Sequence, residues 1–437
     1  MLYEKNTNVY HNPGIFMRRN HAIRRRAGRG RCQGEVVLTI PHYKAGQNVG
    51  GKFFLPQVER FNEKYEGIYK LVIEEIPQDS YMGKIKQLAQ QDKLPALIEG
   101  ADKKWFEDVV IKNGLFFDMA DWLNSHKEVK DRAIKDSLEF ITTENGKITS
   151  FPLMVARPIG LFYNSTMVDF DKPVNEMKVD DFQKALGDQK LAFMTAENAW
   201  TTSLFFTSIF VEEGGADIIW DGIESSVSDY TTAIWVRSFE KLQDFLQNNA
   251  SANTVGAAYA DAANSFMSKN AAAIANGPWM MGDFAPDSSD KWSNGFTGEQ
   301  VTATMYPGNM AIFNPTGYFW WVPENISEED KEAAMAFLEF IKSPEELEAF
   351  MLAEGGTAPN LTASAEYRTK LEANRLLNEM DKAVNANTVF VPLVLDIMPP
   401  SVANEDWGRL LPKLIDGTYT PLQFGQELSR KAVSAKE

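Results

Sequence analysis

With 437 residues, 44% of them hydrophobic and 24% charged, the chain is long enough for two domains and a large buried core. A net charge of −16 disfavours nucleic acid and anionic lipid as partners of the main body. No apolar run reaches the roughly eighteen residues that a membrane-spanning helix needs, and the lone cysteine, Cys32, excludes an intramolecular disulfide without deciding for or against export.

The charge is unevenly placed. Residues 1–34 hold Lys5 and seven arginines against Glu4, a net of +7, which leaves −23 for the rest. Three readings fit such a basic head: an arm for nucleic acid or membrane, a targeting segment, or sequence foreign to the mature protein through a wrong start codon or a shifted frame. A secretory signal needs an apolar stretch of about 7–15 residues, which the head lacks. Val36-Val37-Leu38-Thr39-Ile40 then begins the folded body abruptly. The expectation is therefore a disordered or non-native head, no nucleic-acid partner, and an inert thiol at Cys32.

Strand and helix alternate through about residue 150, the pattern of a parallel α/β layer. Val36–Pro41 reads as a strand, and a helix beginning near Val49 turns Phe53, Phe54, Val58 and Phe61 inward. Leu71–Ile76 is the next strand, Tyr81–Gln91 a helix and Ala96–Ile98 a short buried strand; Asn145-Gly146 suits a hairpin turn. From about 160 to 312 the chain is helix-rich, with helices over Thr201–Glu213, Tyr230–Asn248 and Ala257–Ser268. Gly214-Gly215 ends the first of these, and Trp220 reads as a packing residue in a loop. Ala271–Ala275 is an apolar run fit for a buried strand; Asn276-Gly277-Pro278 breaks it, and Pro278 suits the first turn of a new helix. Val301–Met305 is a short strand. Ser327, Ser343 and Thr420 open helices in capping-box patterns, the last two followed by Pro at the first helical position. Ala334, Phe337, Leu338 and Ile341 form a stripe that belongs in the core.

Catalytic and metal-binding patterns are missing. Of the four histidines, His11 and His21 lie in the head, and His42 and His126 are too far apart for a local metal motif. No nucleophile elbow, phosphate loop or dinucleotide fingerprint occurs, and Asp287 to Glu299 fails the spacing of a calcium loop. No cofactor and no metal are expected. Aromatics are the surplus, with 10 Trp, 13 Tyr and 28 Phe. Trp279 falls at the carboxyl end of a strand, where open α/β sheets bind ligands. Its flat indole suits stacking on the apolar face of a sugar; the bland alternative is a plug in the core, where most Trp surface is buried. The same two readings hold for Trp105, Trp200 and Trp407. Tyr43 follows the first strand beside His42, and Glu99 and Asp102 follow the strand after Pro95, where Asp102 serves equally as a helix cap. Trp320 and Trp321, if extended, face opposite sides, so at most one lines a cleft.

The tract from Phe266 to Phe284, with Asn276-Gly277-Pro278-Trp279 inside it, resembles a segment ending in Asn-Gly-Pro-Trp of the family 1 extracellular solute-binding proteins, the receptors of carbohydrate ABC importers. Further stretches fall in that family's order. Phe54–Tyr65 resembles its first helix, and Asp92–Gly100 its second strand, with Ala96 where the family usually has Asp. Asn145–Pro152 and Gly160–Asn164 resemble the passage into the second lobe; Glu332–Pro344 and Gly355-Gly356-Thr357-Ala358-Pro359 resemble the late helices and their Gly-Gly turn.

The resemblance implies an α/β fold of two lobes, periplasmic-binding-protein-like (type II), with a hinge and an interlobe cleft. Lobe one would comprise residues 35–155 and 316–390, and lobe two residues 158–312 and 395–437, with crossings near Val155–Pro158, Asn314–Gly317 and Pro392–Asp396. It also implies an extracellular or periplasmic, monomeric, non-enzymatic receptor that binds a sugar or oligosaccharide and delivers it to the permease subunits. Membrane association would come through the permease or a lipid anchor; Cys32 sits near where the anchoring cysteine would be, without the preceding apolar stretch. Among candidate ligand-binding residues, Trp279 carries over best, then Glu99 and Tyr318, then Tyr43. Asn276 belongs to the same motif, and Arg157, Gly317 and Asp396 lie at the crossings, where Arg157 serves equally as a lobe-to-lobe salt bridge. Two alternatives stay open: a binder of another solute on the same scaffold, such as a polyamine or metal chelate, and a glycoside hydrolase whose carboxylate pair counting cannot pick from 60 acidic residues.

Overall fold

Alternation along Val36–His42 buries Leu38 and Ile40 on one side of the chain, and this strand (β1) pairs in parallel with Tyr69–Glu75 (β2), Leu38 lying opposite Leu71. The computed structural model describes residues 34–45 and 50–435; the expectations for the basic head and Cys32 concern residues outside these. The helix Gly51–Lys64 joins the two strands and turns Phe54, Val58 and Phe61 inward at helical spacing.

Beyond β2 the expected parallel layer stops. Ile98–Glu99 (β3) pairs antiparallel with Trp320–Trp321 (β8), more than two hundred residues away, so the late chain closes this first core. Sequence pattern carries no signal for such a partner. The first core gathers side chains from residues 38–155 and 318–367, with Phe337, Leu338 and Ile341 of the expected stripe in place.

The second half is built around Gly160–Asn164 (β4), flanked by Ala273–Asn276 (β5) and Val301–Thr304 (β6), all antiparallel. Period two decides which residues go where. Leu161, Ala273 and Ala275 enter a core shared with the helices Trp200–Glu212, Ala233–Asn248 and Trp407–Ile415, whereas Phe162 and Ile274 enter another on the opposite face. Both faces of this sheet are therefore covered, which explains why Ala271–Ala275 reads as a continuous apolar run. A further parallel pair joins Met310–Ile312 (β7) to Val389–Val391 (β9).

Several expectations need correction. Residues 375–391 pack with the second half, not the first: Leu376, Leu377 and Met380 of the helix Arg375–Ala383 enter the core around Phe162, and Glu379 Oε2 accepts from the Ala303 amide at 3.0 Å. Trp220 lies in a helix, Ala216–Ser225, and is 39% exposed rather than packed in a loop. Pro278 opens a run of 3₁₀ turns over Pro278–Phe284, not an α-helix. Of the capping patterns, Thr420 and Gln423 exchange both bonds, at 3.2 and 2.9 Å. Ser343 accepts from the Glu346 amide, but the Glu346 side chain turns away to Arg60, at 2.8 and 2.7 Å, and Gln57, at 3.0 Å. A bidentate pair between buried Glu346 and the half-exposed Arg60 takes the place of the local cap bond.

Candidate functional site

β5 ends at Asn276, whose side chain is fully used inside the protein. Its Nδ2 donates to the Tyr259 hydroxyl at 3.1 Å and reaches Met280 Sδ at 2.9 Å, and its Oδ1 accepts from the Gly277 amide at 2.8 Å. Asn276 is therefore a fixture of the turn rather than a free ligand group. The Trp279 ring folds back over Gly277: a Cβ there would lie 2.2 Å from the indole, so only glycine fits beneath it. Trp279 remains half-buried, 5.7 Å from the ring of Trp200, which opens the aromatic-rich helix Trp200–Glu212 and is also half-buried.

A second group forms where β1 and β3 end. The Lys44 amide donates to His42 Nδ1 at 2.9 Å, which leaves the proton of a neutral imidazole on Nε2, 2.8 Å from Glu99 Oε2. Lys44 Nζ meets the other oxygen, Oε1, at 2.6 Å. Burial alone would raise the Glu99 carboxyl, yet Lys44 and His42 outweigh it and hold the group well below the usual carboxylate range. His42 itself is sealed between Phe54 and Trp320, with ring centroids 4.5 and 5.4 Å away. Tyr43 stands beside this pair, its hydroxyl pushed up by burial and then by Glu99.

Arg157 joins the two groups. Its guanidinium lies 5.2 Å from the ring centre of Trp279 and 5.2 Å from that of Phe350, and its Nη1 is 3.6 Å from Glu354 Oε2. Burial raises the Glu354 carboxyl against the pull of Arg157 and Lys44. Lys44, Glu99, Arg157, Trp320, Lys342 and Glu354 line one pocket of about 830 Å³, the solvent at its mouth included. The Gly355-Gly356 turn holds this corner together. A Cβ on Gly356, whose φ is +104°, would lie 2.6 Å from the Ala156 carbonyl, and one on Gly355 would lie 2.3 Å from Pro278, next to Trp279. Ala156 and Thr357 exchange backbone bonds at 2.8 Å across the same contact.

The other candidates separate. Asp102 caps the following helix by accepting from the Trp105 amide at 2.9 Å, and Trp105 leans half-buried on Trp321. Tyr318 is 7% exposed, stacked 4.1 Å from Phe106 with its hydroxyl 3.2 Å from Glu107, so its ring is committed to packing; Gly317 precedes it with Phe319 alongside. Trp407 is a clear correction: it is 0% exposed among Phe206, Phe239 and Phe424 and cannot reach a ligand. Asp396 accepts from Asn314 Nδ2 at 3.1 Å, and desolvation of its carboxyl raises it to about 6 against the pull of that bond, although part of the side chain stays exposed. Trp320 faces the pocket and Trp321 donates into the core at Gly100, as strand alternation demands. Lys44, Lys342 and Glu354 escaped the sequence reading, because isolated charged residues carry no motif. Among the described residues no group of three or more metal-ligating side chains occurs, and no helix is long and apolar enough to cross a membrane.

Residues 57–376 match the family model described as bacterial extracellular solute-binding protein. No curated sequence matches the chain. Among solved structures, a chitin oligosaccharide binding protein is similar with a TM-score of 0.72 at 18% identity, over 92% of this chain and 99% of that one. A Streptococcus pneumoniae solute-binding protein in complex with the blood group A-trisaccharide gives 0.66 at 17% identity, over 91% and 100%. The solute-binding protein RafE of the same organism, in complex with raffinose, gives 0.64 at 17% identity, over 92% and 100%. These likenesses show the fold, the two-lobe α/β architecture of such proteins.

Proposed function

We propose the following role for this chain, which belongs to the bacterial extracellular solute-binding proteins: it receives a sugar or oligosaccharide in the cleft between two lobes and hands it, chemically unchanged, to the permease of an ABC importer. The observation that carries this reading is the use made of tryptophan. Trp235, Trp321 and Trp407 are fully buried, whereas Trp279 and Trp200 keep exposed surface at the carboxyl end of β5, beside the charged pocket that Arg157 shares. Flat apolar faces next to a few convergent polar groups are what a sugar site requires. Structures of similar fold bind chitin oligosaccharide, a blood group trisaccharide and raffinose by their own descriptions, which supports the same ligand class here.

In this reading the crossings near Val155–Pro158, Asn314–Gly317 and Pro392–Asp396 act as the hinge, and closure around the sugar presents both lobes to the permease. The protein works as a monomer on the outer side of the membrane, held there by the permease or a lipid anchor. A panel of mono- and oligosaccharides tested by thermal shift checks it. A ligand at about 100 times its dissociation constant adds about 2.7 kcal/mol of apparent stability. A selective shift by one sugar class, with the sugar recovered intact after denaturation, is the expected result. Sugar consumed during incubation would put a hydrolase in place of the receptor, and silence across the panel would move the ligand to another class of solute.

A further inference from the structure

The charge census of the pocket is unbalanced at one residue. Glu99 Oε1 accepts from Lys44 Nζ at 2.6 Å while its Oε2 lies 2.8 Å from His42 Nε2, and Glu354 lies 3.6 Å from Arg157. Lys342 lines the same pocket and has no ion-pair partner among the described residues. It follows directly on the helix Glu328–Ile341, and its backbone carbonyl is fixed by Arg132 Nη2 at 3.2 Å, which anchors the base of the side chain. Three cations, Lys44, Arg157 and Lys342, thus face two carboxylates, Glu99 and Glu354, a local positive excess on a body that carries −23 outside its head.

A partly desolvated ammonium without a counter-ion is costly and calls for an anion. The surroundings agree. Burial lowers Lys342 to about 8, with Lys44 and Arg157 pushing the same way against Glu99. The helix Gly51–Lys64 opens onto the pocket at Gly50 and Phe53, with no acidic residue in its first turn and no side-chain cap among the described residues. Its positive end adds to the preference for negative charge.

We propose that the sugar taken by this protein is acidic, with a carboxylate or sulfate group that lands between Lys342 and Arg157. This rests on the receptor reading above. Neutral sugars offer hydroxyl and amide oxygens but no negative charge, and leave the Lys342 charge unpaired.

The test uses the full chain in low salt, titrated by calorimetry with tri-galacturonate, a sulfated disaccharide and neutral maltotriose. The expected result is a preference of at least tenfold for one of the two acidic sugars, which also tells carboxylate from sulfate. Lys342→Met abolishes that preference, and Lys342→Arg, which keeps the charge, retains it. On the unmodified chain the acidic sugar binds more weakly as pH rises from 7 to 9, because Lys342 loses its proton through about 8; this readout needs no variant to fold. Equal or tighter binding of maltotriose, with no effect of pH over that range, would overturn the acidic-ligand inference and leave the receptor standing. Binding of none of these sugars or of any other saccharide would remove both.

Discussion

Trp407 and Trp279 put the same side chain to opposite uses. Around Trp407 the rings of Phe206, Phe239 and Phe424 lie 5.2, 6.4 and 5.7 Å away, no surface is exposed, and the indole N–H has no partner among the described residues. Packing alone holds it. Around Trp279 the holding is polar and local. Asn276 fixes the turn through Tyr259, Met280 and Gly277, and Gly277 makes room beneath the ring; Arg157 comes over it from the other side of the pocket corner. A residue enclosed by other rings supplies stability, whereas one displayed by hydrogen-bonded scaffolding keeps surface for something outside the chain.

The largest expected effect lies at the buried tryptophan. Trp407→Ala should cost about 3–5 kcal/mol of unfolding free energy, since it removes the largest side chain of that aromatic cluster and leaves a cavity. A fall in the urea midpoint checks this, and a change under about 1 kcal/mol would mean the cluster relaxes around the gap. A smaller effect is expected at Asp396, eleven residues before Trp407 but with an exposed side chain against Asn314. Its folded pKa, about 6, lies above the ordinary carboxylate value, so the stabilising contribution of its protonated form is complete below about 4 and is lost as pH rises through about 6. Asp396→Asn should therefore raise the melting temperature at pH 7.5 relative to the unmodified protein and give little gain at pH 4. A gain of equal size at both pH values would contradict the raised pKa.

Local pattern was enough for much of the fold. The continuous apolar run before Asn276, the inward Phe54, Val58 and Phe61, and the Thr420–Gln423 cap all form as the sequence predicts. What spacing could not supply was partnership at long range. Nothing near Glu99 announces that β3 pairs with Trp320–Trp321, or that Glu346 leaves its cap for Arg60. The candidate site divides the same way. Trp279 and Arg157 were accessible from motif and position, and they do meet. Trp407 and Tyr318 stood lower among the same candidates, and their sequence could not show that they are buried, because exposure depends on which helices arrive later in the chain. Lys342 was invisible, since a single lysine after a helix acquires meaning only from a pocket whose other charges are already paired.

On the proposed function, Trp279 is displayed for a sugar. Calorimetric titration of the sugar selected by the thermal-shift panel, into the unmodified chain and into Trp279→Ala, tests it most directly. At least a tenfold loss of affinity is expected in the variant, about 1.4 kcal/mol, while the urea midpoint stays close to that of the unmodified protein. Undiminished affinity in a folded Trp279→Ala would contradict it and place the sugar elsewhere.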